Sequence, residues 1–86
     1  MLSPPLHLKA ENSDSNVYRW YSLTMGQDLF GEWMLITKWG RIGYKGQLKE
    51  YVFPEEKLAQ REYQRILRKR LNSHKRIGCR YRIIHL

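Results

Sequence analysis

The chain has 86 residues, and its 16 lysines and arginines outnumber 8 acidic residues, for a formal charge of +8. This length allows one small domain and leaves little room for a deep catalytic cavity. The single cysteine, Cys79, excludes an intramolecular disulfide, and no stretch approaches the 18 apolar residues of a membrane span. The charge excess predicts attraction to DNA, RNA or an anionic membrane surface. The membrane is the least favoured of these, because the apolar side chains are needed to form the core and leave little to insert. Without a signal-peptide pattern at the amino terminus, we expect a cytoplasmic location.

Alternating apolar and polar residues predict the first four strands. Residues 1–15 are interpreted as an N-terminal extension that carries an edge strand at residues 6–10 and ends in a polar turn. Residues 16–86 are predicted to form one domain. Its first three strands are predicted at residues 17–25, 33–39 and 47–53, with glycine-rich reversals between them.

One helix is predicted after Pro54, because proline suits a first helical turn and the acidic Glu55 and Glu56 favour the positive end of the helix dipole. An apolar stripe at helical spacing indicates packing against the sheet. The stripe consists of Leu58, Ala59, Tyr63, Ile66, Leu67 and Leu71. A closing strand is predicted at residues 80–85. Strands followed by a single helix argue for an α+β fold, an antiparallel sheet of four or five strands covered by one long α-helix.

The tripeptide Trp39-Gly40-Arg41 follows the third apolar run. A planar indole beside a permanent cation suits a sugar or base next to a phosphate, and the intervening glycine permits close backbone approach. The competing interpretation is a core tryptophan, a strand-end glycine and a solvated arginine, because tryptophans in strands are mostly buried. The tripeptide alone does not decide between the two.

In order and spacing the chain resembles the WGR domain family, named for this motif. That family includes a domain of DNA-damage-sensing poly(ADP-ribose) polymerases and small stand-alone bacterial proteins, and this length implies the second kind. The resemblance implies that Trp39 packs on a terminal sugar and that Arg41 contacts the DNA backbone and neighbouring protein elements. It also implies that Gly40 keeps the connecting backbone free of a side chain. The segments that carry it, within residues 16–82, are Arg19-Trp20-Tyr21, residues 29–33, residues 39–43 and Gly46-Gln47.

We therefore predict a non-catalytic nucleic-acid-binding module, with DNA favoured over RNA. Since no helix-turn-helix, zinc finger or heptad-linked basic region is visible, contacts to the backbone or to ends should dominate over base readout. Lys75 and Arg76 are added because they lie near the helix end beside a glycine. The predicted nucleic-acid-binding residues are Trp39, Gly40, Arg41, Tyr44, Lys45, Lys75 and Arg76.

Other functional classes are weighed against this one. Enzymatic activity would rest on Cys79 with His74 or His85, and an incidental thiol explains these scattered residues better. No cofactor or metal site is expected. The main alternative is an adaptor domain that binds a protein partner, since three Trp, six Tyr and two Phe can leave an exposed aromatic patch.

Overall fold

The computed structural model describes residues 2–73 and 78–84. In this part of the chain, strands and helix follow one another in the predicted order, and the α+β prediction is confirmed: one helix packs on an antiparallel five-stranded sheet. The elements are β1 (Leu6–Asn12), β2 (Val17–Gln27), β3 (Trp33–Arg41), β4 (Gln47–Phe53), α1 (Glu56–Leu71) and β5 (Arg82–Ile84).

The sheet has the strand order β4-β3-β2-β1-β5, so the expectation that the first strand lies at an edge is wrong. β1 pairs with β2 on one side and with β5 on the other, where Leu8 lies opposite Ile83. Local alternation in residues 6–10 could not reveal this position. The pairing with β5 joins residues far apart in sequence and depends on the chain returning after the helix.

The core lies between α1 and the sheet face that it covers. Tyr21, Leu23 and Leu35 are buried there, and Thr37 is 1% exposed. Val17, Tyr21 and Leu23 of β2 are buried on this face, since alternate side chains of a strand point to the same side. On β4, Tyr51 and Phe53 pack on this core, whereas Leu48 and Val52 are exposed. The odd-numbered residues near the end of β4 therefore face the core, and the even-numbered residues face away from it.

The helix buries a narrow part of the predicted apolar stripe. Ala59 and Ile66 are fully enclosed, Tyr63 and Leu67 are half-buried, and Leu58 is 36% exposed. α1 packs against β2, β3 and β4. Within residues 2–73 and 78–84, no helix combines the length and apolar character needed to cross a bilayer.

Truncation of a central core side chain should cost much of the stability of so small a domain. We expect Leu35→Ala to lower the free energy of unfolding by about 2–5 kcal/mol, because Leu35 is fully enclosed and its removal leaves a cavity. Leu48→Ala, at a site that is 53% exposed, should change it by about 0.5 kcal/mol or less. Urea denaturation followed by circular dichroism measures both, and equal losses would contradict the proposed position of the core.

Candidate functional site

The pairing of β2 with β3 brings two arginines side by side at one end of the sheet. Arg19 lies opposite Arg41, and two residues further along Tyr21 lies opposite Trp39. Residues directly opposite in an antiparallel pair share a face, so all four side chains belong to the face that carries the helix. Both arginines are exposed. Like charges in opposite positions destabilise a sheet, so this pair favours a bound anion.

Three aromatic rings form a connected floor beside these arginines. The rings of Tyr21 and Trp39 are stacked, with centroids 6.1 Å apart and planes 19° apart. Tyr81 meets Tyr21 edge-on, at 6.3 Å and 75°. Tyr21 and Tyr81 are buried, whereas Trp39 is half-buried and packs against the core. The indole is thus anchored on its inner side and accessible on its outer side, a combination of the two interpretations drawn from the sequence.

A third arginine reaches this floor from the last turn of the helix. The guanidinium carbon of Arg70 lies 4.3 Å from the ring centroid of Tyr21 and 6.0 Å from that of Tyr81. Both distances allow a cation–π interaction. The Nε atom of Arg70 is buried and makes no hydrogen bond to the described residues. A buried donor without an acceptor costs stability, so the position of Arg70 is not explained by hydrogen bonding within the described residues.

These side chains enclose a surface cavity of about 460 Å³, here called the arginine pocket. None of its described lining residues is acidic, and Arg19, Arg41 and Arg70 form no ion pair within residues 2–73 and 78–84. Arg41 lies over the ring of Tyr18, 5.4 Å from its centroid. The lining residues are Asn16, Tyr18, Arg19, Tyr21, Trp39, Gly40, Arg41, Arg70 and Tyr81.

Gly40 has a packing role on the opposite side of the sheet. A Cβ atom built on Gly40 would lie 2.8 Å from the Cα of Gly46 and 3.1 Å from Nε1 of Trp20. A Cβ on Gly46 would lie 2.5 Å from Cζ2 of Trp20 and would overlap the carbonyl of Trp39. The indole of Trp20 therefore lies across two glycine backbones, and its Nε1 donates a hydrogen bond of 3.0 Å to the carbonyl oxygen of Arg41.

The structure brings only part of the predicted site together. Trp39, Gly40 and Arg41 line the arginine pocket. Tyr44 and Lys45 lie in the exposed turn after β3 and are not among its lining residues, although the Tyr44 amide donates a hydrogen bond to the Arg41 carbonyl oxygen. The predicted residues Lys75 and Arg76 lie outside the described part of the chain, together with His74 and His85.

Two cations of the arginine pocket were missed in the sequence, and both carried a detectable signal. Arg19 interrupts the apolar side of β2, and Arg70 lies four residues after Ile66, within the helical stripe. A cation on an apolar face is a candidate ligand contact, because charged residues seldom occupy such a face unless they are paired. Tyr81 could not be placed from local pattern, since its position depends on the chain returning to the sheet.

The remaining reactive groups do not assemble into a second site within the described residues. Cys79 is half-buried, and its carbonyl oxygen accepts a hydrogen bond of 2.9 Å from Oγ of Ser73. Across residues 2–73 and 78–84, no three histidine, cysteine or acidic side chains converge as metal ligands would.

With this geometry established, comparison with known proteins defines the class. The family model of the WGR domain matches residues 5–77, most of the chain, and the chain belongs to the WGR domain family. It is also similar to the uncharacterized protein y4dW of Sinorhizobium fredii, with 39% identity over 72 residues. That match covers 81% of this chain and 35% of the relative, so the chain spans about a third of the relative's length.

The contact between Trp20 and the two glycines predicts a specific sensitivity. We expect Gly46→Ala to destabilise the domain by about 1–3 kcal/mol, because the added methyl group overlaps both the indole and the backbone of β3. Gly31→Asn is the comparison variant, since Gly31 has open space around it and asparagine is the residue that best accepts a φ of 81°, so its loss should be the smaller. Thermal unfolding of both variants measures the difference. An unchanged melting temperature for Gly46→Ala would contradict the packing described here.

Proposed function

We propose that this WGR domain is a non-catalytic module that binds nucleic acid, gripping the sugar-phosphate backbone or an end of DNA in the arginine pocket. The observation that carries the proposal is the convergence of Arg19, Arg41 and Arg70 on one cavity without an acidic partner among the described residues. A cluster of this kind repels itself until an anion neutralises it.

Phosphate chemistry fits the three guanidinium groups. Each guanidinium presents planar pairs of N–H donors that match two phosphate oxygens, and such charge-assisted bonds are about twice as strong as neutral ones. An anion between Arg19 and Arg41 relieves their cross-strand repulsion. Arg70 lines the same cavity and adds a third positive charge near that anion.

The aromatic floor adds the second half of the recognition. The accessible side of Trp39 offers a flat surface to a sugar or base, and such stacking contributes about 1–3 kcal/mol per base. Tyr21 supports the indole from the side, since the two rings are stacked. This arrangement places an apolar contact next to a phosphate contact, as a nucleotide requires.

Backbone or end binding is favoured over reading of base sequence. The arginines and aromatic rings gather in the arginine pocket at one end of the sheet, whereas α1 belongs to none of the motifs that place a helix in the major groove. A concave cavity of about 460 Å³ has the size of a small-ligand pocket, which suits one exposed nucleotide unit better than the flank of a continuous duplex.

Fluorescence polarisation with labelled blunt, nicked and single-stranded DNA, and with a matched RNA duplex, tests the proposal at two salt concentrations. We expect Arg41→Gln and Arg70→Gln each to weaken DNA binding by roughly 10-fold, the effect of one lost charge-assisted hydrogen bond. Each should also reduce the slope of log affinity against log salt by about one. Trp39→Ala should weaken binding without changing that slope.

The matched control is Arg61→Gln, which removes one exposed helix charge outside the arginine pocket. An equal loss for Arg61→Gln and Arg41→Gln would show that net charge alone attracts DNA, contrary to the proposal. Weak and equal affinity of the native chain for every oligonucleotide would also overturn it and would favour the adaptor alternative. Thermal unfolding of each variant separates loss of binding from loss of fold.

A further inference from the structure

The turn between β2 and β3 presents two large apolar side chains to solvent. Leu29 is 99% exposed and Phe30 is 88% exposed, and we call this adjacent pair the apolar tip. Single exposed apolar residues are ordinary, but two adjacent and almost fully exposed ones indicate a contact surface. The arginine pocket lies at the other end of the β2–β3 hairpin.

Hydrogen bonds within the turn fix the backbone that carries the apolar tip. Oδ1 of Asp28 accepts hydrogen bonds from the amides of Phe30 and Glu32, at 2.8 and 3.0 Å. The Asp28 amide donates to the Glu32 carbonyl oxygen at 3.0 Å, and the side chain of Gln27 donates to the Gly31 carbonyl oxygen at 3.1 Å. These hydrogen bonds fix the backbone of the turn, so the turn itself loses little conformational freedom on binding.

The charges around the apolar tip limit what it can meet. Asp28 and Glu32 flank the apolar tip. Glu32 also lines a cavity with Pro54, which precedes α1 and its acidic first-turn residue Glu56. Carboxylates repel phosphate groups, so neither nucleic acid nor an anionic membrane suits this end of the molecule. A protein surface that is apolar at its centre and cationic at its rim suits it.

We propose that the apolar tip of one copy docks in the arginine pocket of a second copy. That pocket offers the half-buried indole of Trp39 and the ring of Tyr18 to Leu29 and Phe30, and its arginines have no carboxylate partner among the described residues. The flanking Glu32 supplies one. The contact is intermolecular, because the strand from Arg19 to Gln27 separates tip from pocket by about 26 Å at 3.3 Å per residue.

Such a contact is heterologous, so it joins copies head to tail rather than in a symmetric pair. The net charge of +8 opposes association at long range. Salt at 0.1 M screens that repulsion beyond about 10 Å and leaves the close contact largely intact. Self-association and an anionic ligand compete for the same pocket, so bound DNA would release the copies from one another.

Sedimentation velocity over a range of protein concentrations tests the contact, with two complementary variants. The tip variant carries Leu29→Ser and Phe30→Ser, and the pocket variant carries Arg19→Glu and Arg41→Glu. The native chain should sediment faster as its concentration rises, and each variant alone should stay monomeric. An equimolar mixture of the two variants should form one-to-one dimers, because each retains one intact half of the contact.

The matched control carries Leu48→Ser and Val52→Ser, two exposed apolar residues on β4, and should associate as the native chain does. A native chain that stays monomeric at every concentration overturns the proposal. It is equally overturned by a tip variant that still associates, or by a mixture that stays monomeric. The tip variant should keep its DNA affinity, so failure here leaves the proposed function intact, and loss of DNA binding alone leaves this contact intact.

Discussion

The register between β2 and β3 is the constraint on which the rest of the structure depends. It places Trp39 beside Tyr21 and Arg41 beside Arg19 on one face, and Trp20 beside Gly40 on the other. A shift of β3 by one residue would turn its side chains to the opposite face and take Trp39 and Arg41 away from Tyr21 and Arg19. The indole of Trp20 opposes such a shift, because only glycines at positions 40 and 46 leave room for it.

The arginine pocket lowers the stability of the folded chain, and the side chains responsible lie within the pocket itself. Arg19 and Arg41 repel each other across two strands, and the buried Nε of Arg70 lacks an acceptor among the described residues. Folding alone would favour neutral side chains at these positions. Conflict between local stability and residue choice is typical of functional sites, where a ligand supplies the missing partner.

Periodicity in the sequence predicted the order of the elements and the helix. It failed where contacts join distant segments: β1 is internal because β5 pairs with it, and Tyr81 reaches the pocket for the same reason. The motif contains Trp39 and Arg41 but neither Arg19 nor Arg70. The sequence signal for those two arginines was their position among the apolar residues of the strand and of the helix. The sequence predicts close backbone approach at Gly40, and the backbone that comes close is that of Gly46, with the indole of Trp20 beside it.

The indole of Trp20 lying on bare backbone changes what the family signature means. The packing of the hairpin requires Gly40, and Trp39 is partly a core residue. Both residues would therefore be kept in a relative that binds no ligand. Arg41 alone among the three has an exposed side chain that the core does not use. Divergence of activity within the family should therefore be sought at that third position and at those equivalent to Arg19 and Arg70, rather than in the presence of the tripeptide.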